Sequence, residues 1–166
     1  MILAVDVNYR AGQAVIAGVA FKHWPDGEIQ ANYISILEVV EDYTPGSFYK
    51  RELPCILKLL SEYQLAPATI LIDGYVYLDG SSRPGLGRHL YDALEHKVMI
   101  IGVAKKPFKG ISARYQVFRA SSSRPLYVTC AGIELGTAKQ RIMSMHGHFR
   151  IPTMLKKVDQ LSRKTY

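Results

Sequence analysis

The sequence predicts an α/β protein in which a mixed β-sheet is covered by helices on both faces. Two observations support this class: strand-like segments fill the first forty residues, and strand-like and helix-like segments alternate after them. The chain has 166 residues, which is the length of one domain, so we expect a single domain spanning residues 1–166.

Three apolar segments rich in β-branched residues open the chain, at residues 2–7, 14–21 and 33–40. Turn-forming residues separate them, at Arg10-Ala11-Gly12 and at Pro25-Asp26-Gly27. The three segments are therefore predicted to form an antiparallel meander.

Helical periodicity follows the meander, because apolar residues recur at intervals of three or four up to Tyr63. Pro54 is tolerated only near the first turn of a helix, so we expect the regular helix to begin close to it. The remaining strands are predicted at residues 69–72, 98–103, 115–121 and 125–130, and the remaining helices at 89–96, from 137, and at 154–164.

Three charged residues lie at or just beyond the ends of apolar strands: Asp6, Asp73 and Lys105. Residues just past strand ends gather along one rim of an α/β sheet, which is where ligand sites usually lie. The sequence therefore places two carboxylates and an ammonium where they could converge.

Carboxylates that lie close together stay ionised only when a positive charge sits among them. Magnesium or manganese is the natural partner, and such ions are normally shared with phosphate oxygens of a substrate. A single strand-end aspartate is more often a turn residue or a helix cap. Taken together with Glu52 and Lys105, however, Asp6 and Asp73 favour a metal-dependent catalytic site.

The net charge of +7 is divided unevenly along the chain. Residues 1–96 contain seven Lys or Arg and twelve Asp or Glu, whereas residues 97–166 contain fourteen and two. This polarity suggests a surface that binds a polyanion and a separate site rich in carboxylates. A solvated basic surface without a partner is the alternative.

Several classes of protein are excluded or disfavoured. The sequence contains no GxxxxGK[ST], GxGxxG, GxSxG or HExxH motif. It has no apolar run long enough for a membrane span, no visible signal peptide, and two cysteines too far apart to suggest a disulfide framework. We therefore expect a cytoplasmic protein with no membrane association.

Six segments, in the same order, resemble the endonuclease V family, whose members act on deaminated purines (inosine) in DNA or RNA. They are AVDVNY, YTPGSFYKRE, ILIDG, IGVAKK, PLYVTCAG and RIPTMLKKVDQLSR. The resemblance implies a ribonuclease H-like fold, an endonuclease activity that hydrolyses phosphodiester bonds, and Mg²⁺ as cofactor, with Mn²⁺ as a possible substitute.

The resemblance also implies site residues, assigned motif by motif. Asp6, Glu52 and Asp73 match the metal carboxylates. Lys105 matches the catalytic lysine, and Asp159 matches the last Asp/His position of the catalytic set. The residues implied to contact nucleic acid are the strand-separating wedge Tyr43, Thr44, Pro45 and Gly46, the base-pocket residue Gly74, and His89.

The chain departs from the family pattern in two places. The family carries a helical segment before its first strand, whereas Met1 here leads directly into that strand. The family loop after Asp73-Gly74 is rich in histidine and arginine. Residues 75–88 of this chain differ from that loop, and we call them the rewritten segment. His89 and Arg83 are the plausible equivalents of the histidines and arginines in the family loop. Cleavage is therefore better supported than specificity for inosine.

Three functions stay open at this point. The leading one is hydrolysis of a phosphodiester near a deaminated base in DNA or RNA, as in nucleic-acid repair. The second keeps the fold and metals but acts on branched DNA or structured RNA. The third is a non-catalytic nucleic-acid-binding module. All three imply a nucleic-acid partner, and we expect a monomer.

Overall fold

A computed structural model of the protein describes residues 1–38 and 48–166, with the side chain of residue 48 excepted. The strands are β1 Ile2–Arg10, β2 Gln13–Phe21, β3 Ala31–Glu38, β4 Thr69–Asp73, β5 Met99–Ala104, β6 Gln116–Val117 and β7 Leu126–Ala131. The helices are α1 Phe48–Glu62, α2 Leu86–Ala93, α3 Leu135–Ser144 and α4 Thr153–Arg163.

The strands form one mixed sheet in the order β3-β2-β1-β4-β5-β7-β6. The meander of β1, β2 and β3 is antiparallel, as predicted, while β4 is parallel to both β1 and β5. The register pairs Val5 of β1 with Ile72 of β4. Asp6 and Asp73, the next residues on each strand, therefore lie side by side.

Each face of the sheet is covered by a pair of helices, which confirms the predicted fold class. One core contains Ile56 of α1 and Leu90 of α2, and the other contains Ile142 of α3 and Val158 of α4. Side chains of one strand alternate between the two cores because the side-chain period of a strand is two. None of the described helices combines the length and apolar character needed to cross a lipid bilayer.

Two sequence-based expectations of where a helix begins were wrong. Helix α1 begins at Phe48, six residues before Pro54, rather than close to the proline. The proline cannot donate the hydrogen bond that Lys50 would accept, but both residues are exposed, so water can reach that carbonyl. Helix α2 begins three residues before the predicted start, directly after Pro84-Gly85.

Strand β6 is shorter than predicted because the chain turns away at Arg119. This residue is only 4% exposed, and Ala120 next to it has φ of 52°. The Arg119 guanidinium donates hydrogen bonds to four backbone carbonyls between α3 and α4, those of Met145, Gly147, Phe149 and Arg150. Arg119 thus holds the whole connection between the two helices.

Replacing Arg119 with Met should destabilise the fold by about 3 kcal/mol or more, because buried carbonyls would lose charged donors. Urea unfolding followed by circular dichroism would measure the loss. Arg114→Met, at an exposed position, is the matched control and should change stability by less than about 0.5 kcal/mol. Equal stability of the two variants would contradict the anchoring role.

Candidate active site

Asp6, Asp73 and Lys105 project toward the same face of the sheet. Each of them lies two residues after a residue whose side chain belongs to the core beneath α3 and α4. Those core residues are Ala4, Leu71 and Val103, respectively. Strand alternation therefore directs all three charged groups to that face. The sequence-based expectation that they would converge is met in the geometry.

One cleft collects these groups together with Asp159 of α4. Its wall is otherwise apolar and includes Leu126 and Leu155. The Nζ atom of Lys105 lies 3.9 Å from Oδ2 of Asp73, which is the outer limit of an ion pair. An apolar wall lowers the local dielectric, so charges in the cleft interact more strongly than they would in water.

Asp6 is held by helix α4. The Ser162 hydroxyl lies 2.7 Å from the Asp6 carboxylate and 2.9 Å from the Asp159 carbonyl. The pKa of Asp6 is raised from 3.8 to about 6, mainly by burial and also by the charges of Asp73 and Asp159, against the opposing effect of the Ser162 hydrogen bond. Asp6 is therefore a carboxylate that needs a positive partner to be fully ionised.

Glu52 approaches from the other face of the sheet, on helix α1. Ile56 and Leu59, which follow Glu52 by four and seven residues, are both buried. Glu52 therefore lies on the face of the helix that packs against the core, and only 7% of it is exposed. Its pKa is raised from 4.5 to about 8, mainly by burial and also by the charges of Asp6 and Asp73, while the hydrogen bond of the Tyr9 hydroxyl opposes the rise.

Asp73 and Asp159 each have a cationic neighbour. Desolvation raises the pKa of Asp73, and the Lys105 ammonium opposes that effect. Asp159 pairs with Arg163 one helical turn later, with 2.9 Å between Oδ1 and Nε. These two carboxylates lie nearer to solvent than Glu52, since half of the Asp73 side chain is exposed.

The four acids supply the hard oxygen ligands that Mg²⁺ and Mn²⁺ prefer. Among the described residues, no three acidic, histidine or cysteine side chains already form a group that could hold an ion. A closed protein cage is not required, because Mg²⁺ is usually held by one or two carboxylates with waters and substrate phosphates. The mutually repelling carboxylates Asp6, Glu52 and Asp73 fit such an open site.

The backbone after Asp73 is shaped by two glycines. Gly74 has φ of 133°, a conformation that other residues rarely adopt. A side chain at Gly102 on β5 would clash with the Gly74 carbonyl at 2.5 Å. The Val76 amide donates to the buried Thr129 hydroxyl at 2.8 Å. The segment assigned to the base pocket is thus tightly packed against β5 and β7.

The rewritten segment 75–88 is fastened by its own side chains. Asp79 accepts hydrogen bonds from the backbone amides of Ser81, Ser82 and Arg83. The Tyr75 hydroxyl donates to the Lys106 carbonyl at 2.6 Å and accepts from the Phe108 amide at 2.9 Å. The segment is therefore tied to the loop that follows Lys105.

The residues assigned to nucleic-acid contact are only partly described. His89 lies on α2 and stacks on Tyr49 of α1, with ring centroids 3.7 Å apart. Desolvation lowers the His89 pKa, which favours the neutral ring. The wedge residues Tyr43, Thr44, Pro45 and Gly46 lie outside the described residues.

Sequence analysis missed several residues that shape the site, including Ser162, Tyr9 and Tyr75. Ser162 could have been found, because it follows Asp159 by three residues and so shares its helix face. Tyr9 follows Asp6 by three residues on a strand and therefore faces α1 instead of the cleft. No local pattern indicates that it would contact Glu52.

A ribonuclease H-like sheet with clustered acids at its rim defines this protein as a nuclease. The family model described as Endonuclease V matches residues 1–127. The chain therefore belongs to the endonuclease V family.

One relative in sequence and two solved structures show how similar the chain is to other members of that family. An endonuclease V from Streptomyces avermitilis is 27% identical over 98% of this chain and 79% of its own length. A crystal structure of an endonuclease V from that organism has a TM-score of 0.79 at 25% identity, covering 98% of this chain and 79% of its own. Endonuclease V of Ciona intestinalis, in complex with a 24-mer DNA containing an inosine followed by a ribo-adenosine, has a TM-score of 0.81 at 19% identity, covering 98% and 84%.

The raised pKa values predict that the metal-free protein is least stable at high pH. The folded chain binds the Asp6 and Glu52 protons more tightly than the unfolded chain, so stability falls as pH rises from about 4 to about 8. Asp6→Asn should remove part of this loss and raise the free energy of unfolding at pH 8 by about 1–2 kcal/mol. Denaturant titrations at pH 5 and pH 8 would measure both effects; a variant that is less stable than the wild type at pH 8 would contradict the account.

Magnesium binding should restore the folding stability that the protein loses at high pH. Because the ligands must be deprotonated, Mg²⁺ should raise the melting temperature more at pH 8 than at pH 5, and should have little effect on Asp6→Asn. Differential scanning fluorimetry with matched sodium chloride controls would test this. An equal shift in the variant would place the ion elsewhere.

Proposed function

We propose that this endonuclease V family member hydrolyses a phosphodiester bond near an inosine in DNA or RNA, with Mg²⁺ as cofactor and Mn²⁺ as a substitute. The observation that carries the proposal is the convergence of Asp6, Glu52 and Asp73 with Lys105 at one rim of the sheet. A site that needs positive charge to stay ionised is suited to a cation and to the phosphate bound with it.

Asp6, Glu52 and Asp73 are proposed to hold the metal. When bound, the ion would activate water and stabilise charge on phosphate oxygens during an in-line displacement. Ser162 would keep the Asp6 carboxylate in one orientation through its hydrogen bond. The buried Glu52 side chain has few conformations available, so its carboxylate would be presented in a fixed position.

Lys105 is proposed to contact the scissile phosphate. Its ammonium sits at the limit of ion-pair distance from Asp73 and is partly exposed, so it is free to turn toward an incoming anion. In the cleft it would offset the negative charge that develops on the reacting phosphate. Asp159, oriented by Arg163, is proposed to complete the catalytic set.

The base is proposed to be flipped into a pocket beside Gly74, with Tyr43 to Gly46 occupying the gap in the stack. Backbone amides near Gly74 can contact a base whatever side chains follow. The Ciona intestinalis relative bound to inosine-containing DNA supports this substrate class. His89, whose ring is stacked on Tyr49, would line the same side.

The rewritten segment 75–88 favours a second candidate, a structure-directed nuclease of the same fold acting on branched DNA or structured RNA. Tyr75 and Val76 stand where the family has His-Gly, so side-chain contacts to the base differ. The loss of one good base contact would reduce discrimination by about 1–3 kcal/mol.

The two candidates are separated by a matched cleavage assay. Oligonucleotides of DNA and RNA that differ only in inosine or guanosine at one position would be incubated with the protein and Mg²⁺. We expect faster cleavage of the inosine substrates and none with chelator. Equal rates with both bases would favour the structure-directed nuclease, and no cleavage with either metal would defeat the proposal.

Variants of the charged groups test the mechanism. Lys105→Gln and Asp73→Asn should each reduce cleavage by about 10²-fold or more, while Asp73→Asn retains or tightens binding because it relieves repulsion of phosphate. Lys109→Gln, exposed on the same loop, is the control and should retain activity. Single-turnover cleavage and fluorescence anisotropy give the two readouts. Cleavage by Asp73→Asn at the wild-type rate would refute the role of the acid cluster.

A further inference from the structure

A second pocket, which we term the basic pocket, adjoins the acidic cleft. Its charged members are Lys105, Lys106, Arg124 and Arg150, and Tyr127 and two prolines complete it. Lys105 lines both the acidic cleft and the basic pocket. The two sites are therefore continuous, and a strand whose phosphate contacts Lys105 would reach the basic pocket with a neighbouring phosphate.

Three of the four cations of the basic pocket lack an acidic partner among the described residues; the fourth, Lys105, lies 3.9 Å from Asp73. Within the described part of the chain, Lys106, Arg124 and Arg150 form no ion pair with any Asp or Glu. Arg124 and Arg150 line the same pocket, which holds two like charges near each other. Desolvation and the Arg124 charge lower the pKa of Arg150 accordingly. An anion between them would relieve that repulsion.

Arg150 is fixed in place before any ligand arrives. Its Nη2 group donates to the carbonyls of Lys105 and, at 2.8 Å, of Pro125. The backbone of Arg150 is held in turn by the buried Arg119. Among the described residues, the Nη1 group of Arg150 has no protein acceptor. The guanidinium is thus rigid on one edge and free to donate on the other.

We propose that the basic pocket binds a phosphate of the nucleic-acid strand being cut, next to the phosphate that contacts Lys105. Arg150 supplies a fixed donor, and the exposed Arg124 and Lys106 close around the anion. Guanidinium groups suit phosphate oxygens because their donors lie in one plane and can bind two oxygens at once. This proposal rests on the nucleic-acid substrate class proposed above and assigns part of the path of the strand.

A binding experiment without divalent cations tests the proposal independently of cleavage. Fluorescence anisotropy would give the affinity of labelled oligonucleotides for the full chain over a series of salt concentrations. Arg124→Gln should weaken binding by about tenfold and reduce the slope of log affinity against log salt by about one. The double variant that also carries Lys106→Gln should show a further decrease in affinity and in slope. The loss should be equal for inosine and guanosine oligonucleotides, because phosphate contacts carry no base information.

Lys22→Gln is the matched control for loss of one charge. Lys22 is exposed directly after β2, whose last residue Phe21 pairs with Ile2 at the start of β1, so it lies toward the end of the strands opposite the cleft. It should retain wild-type affinity and slope. Melting temperatures would verify that each variant is folded.

Wild-type affinity and salt slope in the double variant would overturn the proposal, as would an equal loss in Lys22→Gln. A loss confined to inosine oligonucleotides would also overturn it, because the pocket would then contact the base. If the wild-type protein fails to cleave inosine substrates yet binding weakens as expected in Arg124→Gln, the basic pocket stands and the proposed cleavage fails. The two proposals can thus fail separately.

Discussion

The site depends on electrostatic repulsion among carboxylates that the fold brings together away from water. Asp6 and Asp73 are adjacent because β1 and β4 are parallel and in register, and Glu52 is driven inward by the apolar stripe of α1. Burial raises the pKa values of Asp6 and Glu52 most, and the charges of neighbouring carboxylates raise them further. Such an arrangement lowers the stability of the metal-free chain, and a bound cation with its phosphate would offset the cost.

Several hydrogen bonds fix the geometry of this rim of the sheet. Ser162 orients Asp6 from α4, Thr129 holds the backbone after Gly74, and Tyr75 joins the loops that follow β4 and β5. These contacts come from helix α4, strand β7 and the loop after β4, so the geometry of the rim depends on elements that are distant in sequence. A change far from the acids, such as at Arg119, would therefore reach the cleft through Arg150 and the Lys105 carbonyl.

The sequence predicted the fold class and the convergence of Asp6, Asp73 and Lys105 because both depend on local patterns. Strand ends are visible as apolar runs, and an acid at the end of such a run is directed to the rim by topology. Local spacing places Ser162 on the same helix face as Asp159, but no local pattern indicates its hydrogen bond to Asp6, which lies 156 residues away in the sequence. The start of α1 was missed because exposure of Lys50 and Pro54, which makes the proline tolerable, is a tertiary property.

The basic half of the chain, residues 97–166, is a second case in which local sequence patterns do not identify the role of a residue. Its excess of Lys and Arg indicates a polyanion, but charge counting cannot separate solvent-exposed cations from structural ones. Arg119 is buried against four carbonyls and is unavailable to a ligand, whereas Arg124 is exposed and unpaired among the described residues. Only the three-dimensional arrangement identifies which cations can meet phosphate.

The most direct test of the account is anomalous diffraction from crystals of the protein soaked in Mn²⁺. We predict an anomalous peak between the carboxylates of Asp6 and Asp73, with metal–oxygen distances of about 2.1 Å. The same soak of Asp6→Asn crystals should lose that peak. Manganese bound elsewhere, with the Asp6 and Asp73 carboxylates free of it, would contradict the claim that the acid cluster exists to hold a cation.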